Sequence, residues 1–148
     1  MSLPRRGAGV NGVAPPAHRR PLAKAAGRRW RPVLALLGEG SALYGIQGLW
    51  TAAHFQVPVT FVVCNNAEYQ ILKDCAGLMP LPRMAAGRFL AMDLVQPEID
   101  FVGLARSLGV QAQRVTEPEE LSERLHASLA GDKPVLLDVP LVRQKAGA

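Results

Sequence analysis

The sequence predicts an open α/β fold, a parallel sheet with helices on both faces. Two observations carry that expectation. Apolar runs of strand length alternate with stretches of helical period from residue 32 to residue 142, the order that builds a parallel sheet through helical crossovers. Each of the first two runs also stops at a small polar cluster, Gly38-Glu39-Gly40-Ser41 and Asn65-Asn66-Ala67-Glu68. In such sheets the loops at the carboxyl ends of the strands hold the functional groups, so the architecture predicts that these two clusters meet.

Val33-Leu34-Ala35-Leu36-Leu37 is continuously apolar, as expected of a strand buried on both faces. A helix is expected from Ala42 to Gln56, with Leu43, Ile46, Leu49 or Trp50, and Ala53 on its apolar side and with Gly45 and Gly48 weakening it. Val57 to Val63 is rich in β-branched residues and reads as the second strand. Tyr69 to Cys75 suits a short helix. Gly77 to Pro97 has no clean period and reads as a long loop.

Asp100 can cap a helix through Phe101, Leu104, Ala105 and Leu108 that stops at Gly109. Val110 to Val115 is the third strand. Thr116-Glu117-Pro118-Glu119 has the form of a capping box with Pro in the first turn, and opens a helix through Leu121, Leu125 and Leu129. Pro134 to Val139 is the last strand. Three parts follow: a basic Pro/Gly/Arg-rich segment, 1–31, of the composition typical of disorder; one folded domain, 32–142; and a tail, 143–148.

The net charge of +5 belongs to the first part. Residues 1–31 hold seven Arg and one Lys with no acid, and the rest of the chain holds nine basic and twelve acidic side chains. Without aromatic interleaving or a known binding motif, that charge is not read as a nucleic-acid interface. No apolar run reaches the roughly 18–20 residues of a membrane span, and no secretory signal is visible. Cys64 and Cys75, without metal-ligand spacing, are read as reduced thiols of a cytoplasmic protein. His18, His54 and His126 have no partners at catalytic or metal spacing, and Trp50 is assigned to core packing.

The two clusters carry the candidate chemistry. Gly38 and Gly40 let a ligand approach the backbone, and Ser41 stands where a helix begins, with N–H groups that favour a phosphate. Glu39 brings a carboxylate, Asn66 an amide oxygen, and the turn after it a carbonyl. Together with phosphate oxygens these are the hard donors that Mg²⁺ prefers.

The run from Gly38-Glu39-Gly40 to Asn65-Asn66 resembles the motif of thiamine diphosphate-dependent enzymes, which opens Gly-Asp-Gly and closes some 25 to 30 residues later on an Asn pair. Leu49-Trp50-Thr51-Ala52-Ala53, Phe61-Val62-Val63, Tyr69, Ala76-Gly77, Asp100-Phe101 and Gly109-Val110-Gln111-Ala112 make the similarity strongest to the benzoylformate decarboxylase branch, over roughly residues 33–140. The resemblance implies thiamine diphosphate and Mg²⁺ as cofactors. It implies metal ligands at Glu39, Asn66 and the main-chain carbonyl of Glu68, diphosphate contacts at Gly38, Gly40, Ser41, Asn66 and the Tyr69 region, and Ile71 and Leu72 near the cofactor and substrate pocket. It further implies a 2-oxo acid substrate, decarboxylation, a homo-oligomer, and a pyrimidine-binding domain or subunit that supplies the activating Glu.

Three departures stand out. Glu39 replaces the family's Asp, Ala67 and Glu68 replace a Gly and a small polar residue, and no pyrimidine-binding domain is recognised in this sequence. These departures lead to the expectation of a fragment inactive by itself, with residues 1–31 foreign to the family. An acetolactate synthase-like carboligase domain and a non-catalytic α/β module are the alternatives.

Overall fold

The computed structural model describes residues 32–78, 89 and 91–143. The segment 1–31, most of the expected loop 77–97 and residues 144–148 lie outside the described residues. Among the described residues four parallel strands form one sheet: β1 (Val33–Gly38), β2 (Val59–Asn65), β3 (Gln111–Arg114) and β4 (Val135–Pro140), in the order β1-β2-β4-β3. The helices are α1 (Glu39–Ala42), α2 (Gly48–His54), α3 (Gln70–Gly77), α4 (Phe101–Ser107) and α5 (Pro118–Ala130).

The chain steps from β1 to β2, passes over to β3 at the far edge, and then returns to β4 between them. Right-handed crossovers put helices on opposite faces when the direction of stepping reverses. The packing follows that rule. Leu49 of α2 and Phe101 and Ala105 of α4 bury themselves with Val63 and Leu136 on one face. Leu121 and Leu125 of α5 pack on Val62, Val115 and Leu137 on the other. Helices on both faces are therefore observed, as expected.

Three expectations about β1 and the first helix need correction. The helix foreseen from Ala42 to Gln56 is two pieces, a four-residue α1 and a seven-residue α2 with turns over Leu43–Gln47; Gly45 in the turn and Gly48 at the start of α2 do not sustain one helix. Trp50 does not enter the core. It is 52% exposed and stacks on His54 at 4.7 Å, while Leu49 takes the core position, because residues one apart on a helix cannot share a face. β1 is not buried on both faces: it borders the sheet among the described residues, and Leu36 is 67% exposed.

The ends of α4 and α5 illustrate local chemistry. The Gly103 N–H donates to the Asp100 carboxylate at 2.8 Å, and Gly109 closes the α4 end at φ +83°, a left-handed conformation cheap only for glycine. The expected capping box before α5 does not close. Thr116 donates to Glu117 instead, and no side chain caps α5, whose first residue is Pro118.

Candidate functional site

Parallel pairing places the ends of β1 and β2 side by side, with Gly38 opposite Cys64. Glu39 is the first residue after β1, and Asn66 the first after β2. Glu39 lies in the first turn of α1 and is buried. Its Oε1 accepts the main-chain N–H of Glu68 at 2.8 Å, and the Asn66 side-chain oxygen accepts the same N–H at 3.2 Å. One donor thus holds a carboxylate and an amide oxygen from two separate loops.

The Asn pair divides its work. The Asn65 amide oxygen accepts the Ala67 N–H at 3.1 Å, and its NH₂ donates to Asp138 at 3.1 Å. Asn65 therefore braces the loop against β4, which leaves Asn66 to face Glu39. The turn needs Ala67 at φ +57°, where an L-residue crowds its own carbonyl; the resemblance has Gly there.

Gly40 serves a role that the sequence reading did not foresee. A Cβ on it would fall on the Tyr69 ring, so its smallness admits that ring between the tip of β1 and the start of α3. Among the described residues nothing lies within 4 Å of a Cβ position on Gly38, which leaves the space over it open to them. Ser41 is exposed, and Ile71 stands out from α3 at 69% exposure. All the candidate residues except Ile71 and Ser41 are joined by hydrogen bonds or close packing, or lie beside the open space at the tip of β1.

The Glu68 carboxylate is not aimed at Glu39. It is buried and pairs with Lys73 at 2.5 Å and Arg143 at 3.3 Å, and both cations also pair with Asp93. Sequence reasoning missed this cluster. Asp93 fell in an unstructured loop and Arg143 in the tail, and a spacing of five between Glu68 and Lys73 matches no helical pair.

Burial, with the Glu39 charge behind it, pushes the Cys64 thiol up, which keeps it protonated and unreactive. Burial also raises the Asp138 carboxyl, against the Asn65 hydrogen bond and the Arg114 charge 3.8 Å away. Among the described residues no cluster of three or more His, Cys, Asp or Glu has a metal-holding arrangement, and no helix is long and apolar enough to cross a membrane.

These features define a parallel α/β domain with an oxygen-rich site at the carboxyl ends of two adjacent strands. The chain belongs to the family described as thiamine pyrophosphate enzyme, C-terminal TPP binding domain, whose profile matches residues 6–139. That match begins inside the segment that the sequence reading set apart as foreign to the family. Benzoylformate decarboxylase of Pseudomonas aeruginosa is 40% identical over 110 residues, 74% of this chain and 20% of that protein. A Mycobacterium tuberculosis protein named provisionally as the acetolactate synthase large subunit IlvX is 41% identical over 115 residues, 74% of this chain and 21% of its own length. Among solved structures, the thiamine diphosphate-dependent 4-hydroxybenzoylformate decarboxylase of Rhodococcus jostii superposes with a TM-score of 0.70 at 34% identity, over 78% of this chain and 21% of that one. The chain spans about a fifth of the length of the relatives it matches.

Two predictions test this geometry. Replacing Ala67 by Gly relieves the left-handed residue and should raise stability by about 1 kcal/mol in urea unfolding; a loss of stability would show that the turn is not strained. Asp138 has a folded pKa above its ordinary 3.8, so the unfolded chain releases that proton first and stability falls as pH rises through this window. Relative to Asp138→Asn, the natural protein should therefore lose stability as pH rises above the ordinary carboxyl value of 3.8, until the buried carboxyl has ionised. A pH-independent difference between the two would contradict the burial argument.

Proposed function

We propose that this chain binds thiamine diphosphate by its diphosphate, through Mg²⁺, as the cofactor-binding portion of a larger enzyme that decarboxylates 2-oxo acids. The observation that carries this is the convergence of Glu39 and Asn66 on the Glu68 amide. In this reading Glu39 and Asn66 give the metal side-chain oxygens and Glu68 gives its carbonyl, a set of hard donors suited to Mg²⁺. Gly38, Gly40, Ser41 and the Tyr69 region line the diphosphate.

The residues present fit the group. Two of the proposed donors already share one hydrogen, the space over Gly38 is open among the described residues, and the Glu68 carboxylate, which would repel a diphosphate, is paired with two cations. When bound, the cofactor supplies the electron sink that lets CO₂ leave a 2-oxo acid. This chain's part is to orient it and to balance its charge.

The exposed apolar residues Tyr44, Ile71 and Leu72 suit a surface that a pyrimidine-binding domain or subunit covers, in a homo-oligomer, so the chain alone is expected to be inactive. Its free cysteines fit a reducing cytoplasm. A carboligase of acetolactate synthase type is the second reading, favoured by the similarity to IlvX.

Thermal unfolding tests the binding. Thiamine diphosphate and Mg²⁺ together should raise Tm, by the equivalent of about 2.7 kcal/mol at one hundred times Kd, and either alone should do much less. Glu39→Asp, which draws the carboxylate back toward octahedral geometry, should tighten Mg²⁺ binding, and Asn66→Ala should abolish the shift. No shift at millimolar cofactor and metal would overturn the proposal.

A further inference from the structure

Four charged side chains close a ring beside the site. The Glu68 Oε2 meets Lys73 and Arg143, and the Asp93 Oδ1 meets the same two cations at 2.8 and 2.5 Å. They come from four places: the loop after β2, the first turn of α3, the returning segment 91–95, and the chain just beyond β4. Backbone contacts hold the same junction. Glu68 bridges Asp93 in antiparallel fashion, the Tyr69 N–H donates to the Met92 carbonyl, and the Leu94 N–H donates to the Ala67 carbonyl.

Glu68 is thereby held at both ends. Its N–H reaches Glu39 and Asn66, while its carboxylate, only 2% exposed, points into the ring. Its Oε1 is buried with no hydrogen-bond partner among the described residues, so the two cations at Oε2 supply the compensation. A buried carboxylate left without compensation is costly. Here it would also add a negative centre next to Glu39 and to an incoming diphosphate. With Lys73 and Arg143 in place, the ring carries no net charge.

Burial would pull Lys73 down, but hydrogen bonds to Asp93 and Glu68 and their charges outweigh it and hold the ammonium above its ordinary value. Asp93 is held below its own by the Lys73 hydrogen bond, against burial, with help from the Lys73 and Arg143 charges.

We propose that Lys73 and Arg143 are positioning residues for the cation–diphosphate site, which neutralise the buried Glu68 carboxylate and fix the Glu68 main chain where it completes the donor set. This rests on the reading given under Proposed function. Neither side chain touches the proposed metal; each acts through Glu68.

The test is thiamine diphosphate affinity at a fixed, saturating Mn²⁺ concentration, read on the full chain by isothermal titration calorimetry. Lys73→Met should weaken thiamine diphosphate binding about tenfold, the scale of one uncompensated negative charge near the diphosphate, and Lys73→Arg should keep most of the affinity. Adding Glu68→Gln to Lys73→Met removes the stranded charge and should recover affinity relative to Lys73→Met alone. Damage from lost packing would instead deepen in the double variant. Should Lys73→Met fail to fold, Arg143→Met, altered at a half-exposed position, carries the same comparison with and without Glu68→Gln.

Unchanged thiamine diphosphate affinity in the single variants, or a double variant worse than Lys73→Met, overturns the inference while leaving the cofactor reading intact. A natural chain that binds no thiamine diphosphate with Mn²⁺ present overturns both.

Discussion

One main-chain N–H organises this domain's functional end. The Glu68 amide is shared by a carboxylate from the loop after β1 and an amide oxygen from the loop after β2, and almost everything nearby serves that meeting. Parallel pairing with Gly38 beside Cys64 brings the two strand ends level. A slip of one residue would put the two strand ends out of level and turn the strand side chains below them to opposite faces. The turn at Ala67, held by Asn65 and strained by its positive φ, directs the Glu68 amide back toward β1.

Around that contact the fold supplies support of two kinds. Apolar support comes from the core under β1, β2 and β4, where Val63, Leu136, Phe101 and Ala105 are buried, and from the Tyr69 ring packed on Gly40. Polar support comes from Asn65–Asp138 across β2 and β4 and from the charged ring on Glu68. The two kinds act at different ranges. Packing fixes where the strand ends are, and the polar contacts fix which atoms face the shared space.

Much of this was legible in the sequence. Strand-sized apolar runs and a helical period between them depend on local spacing, and the positions of the polar clusters after β1 and β2 follow from the fold those runs specify. What was not legible depended on contacts distant in the chain. Leu49 and Trp50 are equally apolar, and only the sheet beneath α2 decides that Leu49 enters the core. The exposure of Leu36 depends on which strands flank β1, which an apolar run cannot tell. The direction of the Glu68 carboxylate is set by Lys73 and by Arg143, 75 residues further along the chain, and both cations are shared with Asp93. Gly40 read as room for a ligand because composition cannot reveal that an aromatic ring 29 residues later takes the space.

The most direct test of the account is a crystal structure of the chain grown with Mn²⁺ and thiamine diphosphate, with the metal located by its anomalous signal. The account predicts a single strong peak coordinated by a Glu39 carboxylate oxygen, the Asn66 side-chain oxygen and the Glu68 carbonyl, with the diphosphate on its open side over Gly38. A peak held by other residues, or bound cofactor away from the ends of β1 and β2, would contradict it.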